Sequence, residues 1–408
     1  MSTQDVIVLG AGIVGKAAAL SLARQGLKVI HIAPDLDTNS AQKTVQNAEN
    51  SWDSRIYALS SSSQELLKDL QVWDEIPSNR VQPVRDMRVF GDSGNEDDSL
   101  HFSAFQGTVP QLAWIVESRQ IEQAIDLATR FQTGIQKITD LTANIQTSED
   151  EVTVTTKSGQ QFAAKLMIAA DGANSKVRQQ LDIQTSMDDY DQTAVVANFN
   201  CAKPHLQTAC QWFLPGGDIL ALLPLPNQRV SMVWSTSASN AQALKSLCAE
   251  DPNVFCQTIT SAAHGNVLKQ IGELTLITPA ESFPLRRVWA KNIIGPADNP
   301  RIILVGDAAH AMHPLAGQGL NLGLRDISIL SKILQEKESF RPINDRVLLR
   351  RYERSRQGDT QALLSTTHSL QKLFSNNEGF AKNLRNLGMK LLNRSSFIKR
   401  QLILKALG

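Results

Sequence analysis

Cysteine is scarce in this chain: four in 408 residues. Cys201, Cys210, Cys248 and Cys256 form no C-x-x-C pair and have no histidine cluster at zinc-ligand spacing, which excludes the common zinc sites and a redox-disulfide enzyme. They read as buried thiols. An excess of charge of one sign is missing too. Lys and Arg number 41 against 40 Asp and Glu, so no global field draws the chain to nucleic acid. No run approaches the roughly 18 uncharged apolar residues that span a bilayer. The opening residues, MSTQDVIVLG, carry neither a basic leader nor a cleavable apolar segment. The expectation is a cytoplasmic protein, with membrane contact limited to a peripheral one at the inner face. Its partner is expected to be a small molecule or a protein.

A chain of this length exceeds one ordinary core, so two domains plus an appendage are expected. The stretch DVIVLGAGIVGKAAALSLARQGLKVIHIAP is the most informative part of the first. An apolar strand, Val6 to Leu9, leads to glycines 10, 12 and 15. An Ala- and Leu-rich helix follows over 16–24, then a second strand over 27–32. This is a βαβ unit with the G-x-G-x-x-G spacing where the chain enters the helix, the arrangement that binds dinucleotides. Gly10 allows the tight turn, Gly12 lets a pyrophosphate approach the backbone, and Gly15 lets the helix pack on the strand. Unpaired amides at the helix start attract the phosphate. One element departs from the pattern. The acidic residue that usually ends the second strand is replaced by Ala33. Either Asp35 reaches the ribose or backbone and water serve it.

Two later stretches repeat the strand-then-polar-turn logic. EVTVTT and QFAAKLMIAADG read as a hairpin whose second strand ends at Asp171 and Gly172, and DGANSKVR then opens a helix with Arg178 one turn in. In RIILVGDAAHAMHPLAGQGLNLGLRD a strand over 302–305 ends at Gly306 and Asp307, where ligands bind in open α/β sheets. Gly317, Gln318 and Gly319 open a helix with Leu320, Leu324, Ile327 and Leu334 at helical spacing. These glycines let backbone amides approach a flat cofactor.

The three motifs in this order, GAGIVG, DGANSKVR and GDAAHAMHPLAGQGLNLG, resemble those of the single-component FAD-dependent aromatic hydroxylases, the class A flavoprotein monooxygenases. WDSRIYALS, with Arg55, and LAWIVESRQIEQAI, with Glu117 and Arg119, are similar to the ubiquinone-biosynthesis branch of that family, and the likeness covers residues 4 to 375. The resemblance implies an α/β fold like that of para-hydroxybenzoate hydroxylase. A Rossmann-like FAD-binding domain over 1–75, 105–185 and 280–365 carries a mixed β-sheet substrate domain over 76–104 and 186–279. A helical C-terminal region follows over 366–408. It also implies site roles. Gly10, Gly12 and Gly15 face the FAD pyrophosphate, and Arg119 the adenine-side ribose or phosphate. Gly306 and Asp307 meet the ribitol or pyrophosphate. Pro314, Gly317, Gln318, Gly319, Leu320 and Asn321 flank the isoalloxazine. Asp171 and Arg178 serve both FAD and the approach of NAD(P)H, and Arg55 lies at the ring's edge. The family usually has a glutamate at Ala33, so that departure bears on the ribose contact.

The implied activity is reduction of FAD by NAD(P)H or a protein donor, reaction with O2, and hydroxylation of a polyprenylated phenol. A helix start aimed at the flavin N1 and C2 carbonyl stabilises the charge of the reduced ring as an oxyanion hole would. No second G-x-G-x-x-G opens a helix, so nicotinamide has no domain of its own. His310 and His313 suit a general base, or satisfy backbone groups in the turn. Together with Arg55, Pro314 and Gly319, His310 completes the candidate catalytic set. Arg55 contacts flavin or substrate, or else pairs with Asp53.

Residues 192–237 change to short β-rich runs with few charges, as in an antiparallel sheet that roofs the flavin. Trp212, Phe213, Leu222 and Leu223 are candidates to line a pocket for a lipophilic aromatic substrate, against the alternative of plain sheet core. From Gly379 to Gly408 there are seven Lys and Arg and no acid. That basic amphipathic tail either meets an anionic membrane or a biosynthetic complex, or packs on the flavin domain. Two other readings stay open: a catalytically weak FAD-binding scaffold, and another flavin oxidoreductase on this fold. The W-x-W-x-I-P halogenase signature is absent.

Overall fold

In the computed structural model the protein is described over residues 4–35, 51–91, 99–263, 270–311, 318–358 and 399–403. The tail before residue 399 therefore lies outside the described residues, as do His313, Pro314 and Gly317.

The first βαβ unit forms as its periodicity requires. Strand β1 (Gln4–Leu9) is followed by α1 (Ile13–Arg24), an Ala-rich helix with nine buried residues, and by β2 (Val29–Ala33). Helix α2 (Ser118–Arg130) leads to β3 (Ile135–Thr139), which extends the sheet beyond β2. Strand β4 (Gln161–Ala169) pairs in parallel with β1 on its other side. The β4 sequence is almost continuously apolar at its end, as a strand covered on both faces must be.

A second sheet occupies the middle of the chain: β5 (Thr185–Cys201), β6 (Thr208–Phe213), β7 (Ile219–Leu225) and β8 (Arg229–Ser237), joined antiparallel in the order β5, β8, β7, β6. One of its faces packs against helices Ala238–Glu250 and Pro252–Ala262 around Phe199, Trp212, Met232 and Phe255. Strand β9 (Glu281–Ala290) pairs with β5. The sheet thus continues past 279, where the sequence division had ended the substrate domain. Strand β10 (Ile302–Leu304) returns to the parallel sheet beside β4, and α3 (Gln318–Gln335) follows the glycine-rich segment. The parallel order is β3, β2, β1, β4, β10. All four cysteines are buried and unpaired. Burial pushes the Cys201 and Cys210 thiols up to about 12, so neither offers a thiolate.

Candidate active site

The carboxyl ends of the five parallel strands open on one cavity of about 1170 Å³. Leu9 and Gly10 after β1, Pro34 after β2, Asp140 after β3, Ala170 and Asp171 after β4, and Val305 and Asp307 after β10 all line it. The three turns read from the sequence thus converge, as the rule for ligands in open α/β sheets demands.

The first turn leaves no room for side chains on its protein side. Gly10 has φ +132°, and a Cβ there would overlap the Ala170 carbonyl; a Cβ on Gly15 would stand 2.5 Å from Gly10 O. Gly10 O is also held by the buried His31, whose Nε2 lies 2.8 Å away. Gly12 is the contrary case. It lines the cavity, nothing lies within 4 Å of its missing Cβ, and it starts α1 without a side-chain cap or an acid in the first turn. Free amide donors therefore face an open space that suits an anion.

At the second turn, Asp171 Oδ2 accepts from the backbone N–H groups of Lys176 (2.8 Å) and Val177 (3.2 Å), while its buried Oδ1 has no partner. An orphaned acceptor on the cavity wall is what a ligand donor would satisfy. Arg178 is buried and lies off this wall. Its guanidinium donates to Ala173 O (2.7 Å) and Ala308 O (2.8 Å), which ties the second turn to the third. The expected ligand role of Arg178 is corrected to that of a clamp between turns.

At the third turn Asp307 faces the cavity. Burial pushes its carboxyl up, against the opposing pull of His310 and Arg55. Behind it is a buried charge group. Asp326 Oδ2 receives the Gly306 N–H at 2.8 Å and lies 2.8 Å from His310 Nε2, while Oδ1 receives Arg356 Nε at 2.6 Å. Gly306 and His310 lie off the cavity wall, so the catalytic candidacy of His310 gives way to support of the turn; Ala311 lines the cavity in its place. Burial raises the Asp326 carboxyl, but the charge and hydrogen bond of His310, Arg356 and the Gly306 N–H outweigh it and hold it below its ordinary 3.8.

Gly319, Leu320 and Asn321, in the first turn of α3, line the cavity. The Asn321 side chain is turned to structural use: Oδ1 accepts from Ser60 N (2.9 Å) and Ser63 Oγ (2.8 Å), and Nδ2 donates to Ala58 O (2.8 Å). Gln318 begins the helix. Arg55 lines the cavity, its guanidinium carbon 5.4 Å from the Tyr57 ring centre and 5.9 Å from that of Phe283. Asp53 takes the Arg55 backbone N–H (3.0 Å) and that of Arg119 (3.1 Å). The Arg119 guanidinium donates to Ser51 Oγ at 3.2 Å and does not line the cavity. Glu117 forms a buried pair with Arg80 at 3.2 Å. Asp35 is exposed and off the wall. The edge beside Ala33 is instead lined by Pro34, Asp140, Leu141 and Thr142. Sequence reasoning missed these last three, although each follows a strand pointing the same way as β2.

The antiparallel sheet makes the opposite wall, and strand parity decides which residues reach it. Ala209 and Gln211 of β6, Ile219, Ala221 and Leu223 of β7, and Val233 and Ser235 of β8 line the cavity. Trp212 and Leu222 face the helices, with Trp212 stacked on Phe90 at 5.3 Å. Phe213 packs with Val89, Leu100 and Ile219 beyond the lining. Of the four expected substrate contacts only Leu223 is on the wall. Residues 399–403 close the far end: Leu402 and Ile403 line the cavity, and a Cβ on Gly107 would stand 2.8 Å from Ile403 Cγ2.

A glycine-built anion cradle at the ends of a parallel sheet, faced by an aliphatic wall of a second sheet, defines a dinucleotide-dependent α/β protein with room for a further apolar ligand. Residues 3–367 match the model of the family described as "FAD binding domain", and the chain belongs to that family. FAD is its cofactor, and the open Gly12 cradle and orphaned Asp171 oxygen fit such a group. The chain is similar to the 3-demethoxyubiquinol 3-hydroxylase of Escherichia coli, 32% identical over 99% of this chain and 98% of that one. It is also similar to the mitochondrial ubiquinone biosynthesis monooxygenase COQ6 of Dictyostelium discoideum, 30% identical over 98% and 90%. Among solved structures, p-nitrophenol 4-monooxygenase PnpA from Pseudomonas putida has the same fold, with a TM-score of 0.76 at 17% identity over 100% of this chain and 98% of that one. Klebsiella pneumoniae HpxO, complexed with FAD and uric acid, matches with a TM-score of 0.73 at 16% identity over 98% and 97%.

Proposed function

We propose that this protein is an FAD-dependent monooxygenase that hydroxylates the aromatic ring of a polyprenylated phenol in ubiquinone biosynthesis, with NAD(P)H as electron donor. One observation carries the reading: a single cavity joins a dinucleotide cradle to an aliphatic arm. At about 1170 Å³ it exceeds the roughly 300–1,000 Å³ of an ordinary small-molecule site, which leaves space for a ring beside the cofactor. The names of the relatives support the substrate class.

FAD, when bound, supplies the oxygen chemistry that side chains lack. The chain's own part is binding, orientation and exclusion of water. Gly10, Gly12 and Gly15, with the amides of the first turn of α1, hold the pyrophosphate. Asp307 would accept from a hydroxyl of the ribityl chain. Gly319, Leu320 and Asn321 in the first turn of α3 would offer their amides to the ring, and Arg55 would meet its edge. The arm formed by β6, β7 and β8 admits hydrocarbon and keeps water off the reacting ring. NAD(P)H docks transiently. Phe105, 92% exposed, and Leu402 in the closing segment support a peripheral contact with the membrane that carries such a lipid.

The test is to incubate the FAD-loaded protein with NAD(P)H and a phenol carrying one isoprene unit. The expected result is substrate-stimulated NAD(P)H oxidation and a product heavier by one oxygen atom. Bound FAD with neither response would overturn the reading.

A further inference from the structure

Among the lining residues of β6, β7 and β8, Ser235 and Gln211 carry hydrogen-bonding side chains, and Gln211 is the longer. Gln211 of β6 sits in a cross-strand row with Ala221, Val233 and Val196, and Val89 flanks it on the other side. Its neighbours are thus aliphatic. The residue is 8% exposed and lines the cavity, yet its side-chain amide makes no hydrogen bond among the described residues. The amide opens on the cavity, where only water or a ligand can complete its hydrogen bonds. Parity excludes a simple escape: rotating Gln211 to the other face would put it in the core that holds Trp212. The position therefore holds a donor and an acceptor ready for a molecule that enters the arm.

We propose that Gln211 orients the substrate by hydrogen bonding to the hydroxyl on its aromatic ring, while the aliphatic wall holds the hydrocarbon. This rests on the hydroxylase reading. Gln211 touches no reacting atom; it selects which edge of the ring faces the cofactor. An amide serves better here than a carboxylate, because it can accept from a phenol without bringing a charge into an apolar wall.

The experiment uses the FAD-loaded protein, its Gln211→Leu and Gln211→Asn variants, a phenol carrying one isoprene unit, and the methyl ether of that phenol. Dissociation constants come from perturbation of the flavin absorption, and thermal midpoints are taken without substrate. The wild type is expected to bind the phenol about tenfold more tightly than the ether, a ratio that one hydrogen bond supplies. In Gln211→Leu the ratio should fall to within about twofold, with flavin content unchanged and the thermal midpoint equal or higher, since a polar side chain has left a largely aliphatic wall. Gln211→Asn should recover part of the ratio. A Gln211→Leu protein that keeps tenfold discrimination overturns the proposal, as does one that loses stability and weakens both ligands alike, which marks a structural glutamine. A wild type that carries FAD but binds neither compound overturns the hydroxylase reading itself, and the proposal with it.

Discussion

The two walls of the cavity meet the same space with different materials. At the ends of the parallel strands the contacts are backbone amides, glycines and a few carboxylates, as at Gly12, Asp171 and Asp307. Across the cavity the antiparallel sheet offers alternate small aliphatic side chains, Ala209, Ala221 and Val233, with Gln211 among them. A backbone wall has no tolerance for an added atom, because the atoms opposite cannot rotate away. A side-chain wall on one face of a sheet tolerates exchange, and sets which ligand fits. The first wall should therefore govern cofactor retention and stability together, and the second should govern ligand choice with stability largely spared.

Breaking the first wall should give the largest effect. Gly10→Ala adds a Cβ against the Ala170 carbonyl at φ +132°. Strain and overlap together should cost about 5 kcal/mol, with loss of flavin, read as a drop in urea midpoint and in bound yellow cofactor. A variant of wild-type stability would remove the backbone-wall account.

Next comes the buried group behind the third turn. Asp326→Asn leaves the buried Arg356 without its counter-charge and should cost about 4 kcal/mol near neutral pH. The sign with pH follows from the carboxyl being held below its ordinary 3.8. Its contribution is complete above that value and is lost as pH falls through the lower folded value. The acid limb of the stability curve should be shallower in Asp326→Asn than in the wild type; equal limbs in chemical denaturation across pH 2 to 5 would contradict the coupling.

The sheet then allows a comparison within itself. Trp212→Ala, on the helix-facing side, should lose about 4 kcal/mol while leaving the preference among substrates alone. Asp307→Ala, on the first wall, should weaken FAD by roughly 10- to 100-fold in an equilibrium titration, as loss of a charge-assisted hydrogen bond does. The smallest stability effect is expected for Leu223→Phe, which extends into open cavity: within about 1 kcal/mol, but with discrimination against bulky prenylphenols. If Leu223→Phe proves as destabilising as Trp212→Ala, the assigned faces of β7 are wrong.

The same contrast explains what could be read in the sequence. The glycine turns were legible because backbone geometry restricts residue type locally: Gly10, Gly12, Gly15 and Asp307 all line the cavity. The second wall was legible as a sheet but not as a face. Trp212 and Leu222 drew notice as large apolar residues, yet a strand with both faces covered gives no alternation to tell core from cavity. The smaller Ala209 and Ala221 and the polar Gln211 were the residues on the wall. Arg119 and Arg178 illustrate a third limit. Their motif positions were clear, but which hydrogen bonds a long guanidinium makes depends on chain segments far away, Ser51 for one and Ala308 for the other. The edge at Asp140 was missed because it lies one strand beyond the motif, on β3.

Equilibrium titration of the flavin-free protein with FAD, followed by quenching of flavin fluorescence, tests the central claim most directly. Three converging turns predict one FAD bound per chain, with Gly10→Ala abolishing the binding and Leu223→Phe leaving it within about twofold. No saturable binding by the wild type, or equal losses in both variants, would contradict a cavity with a cofactor wall and a separate substrate wall.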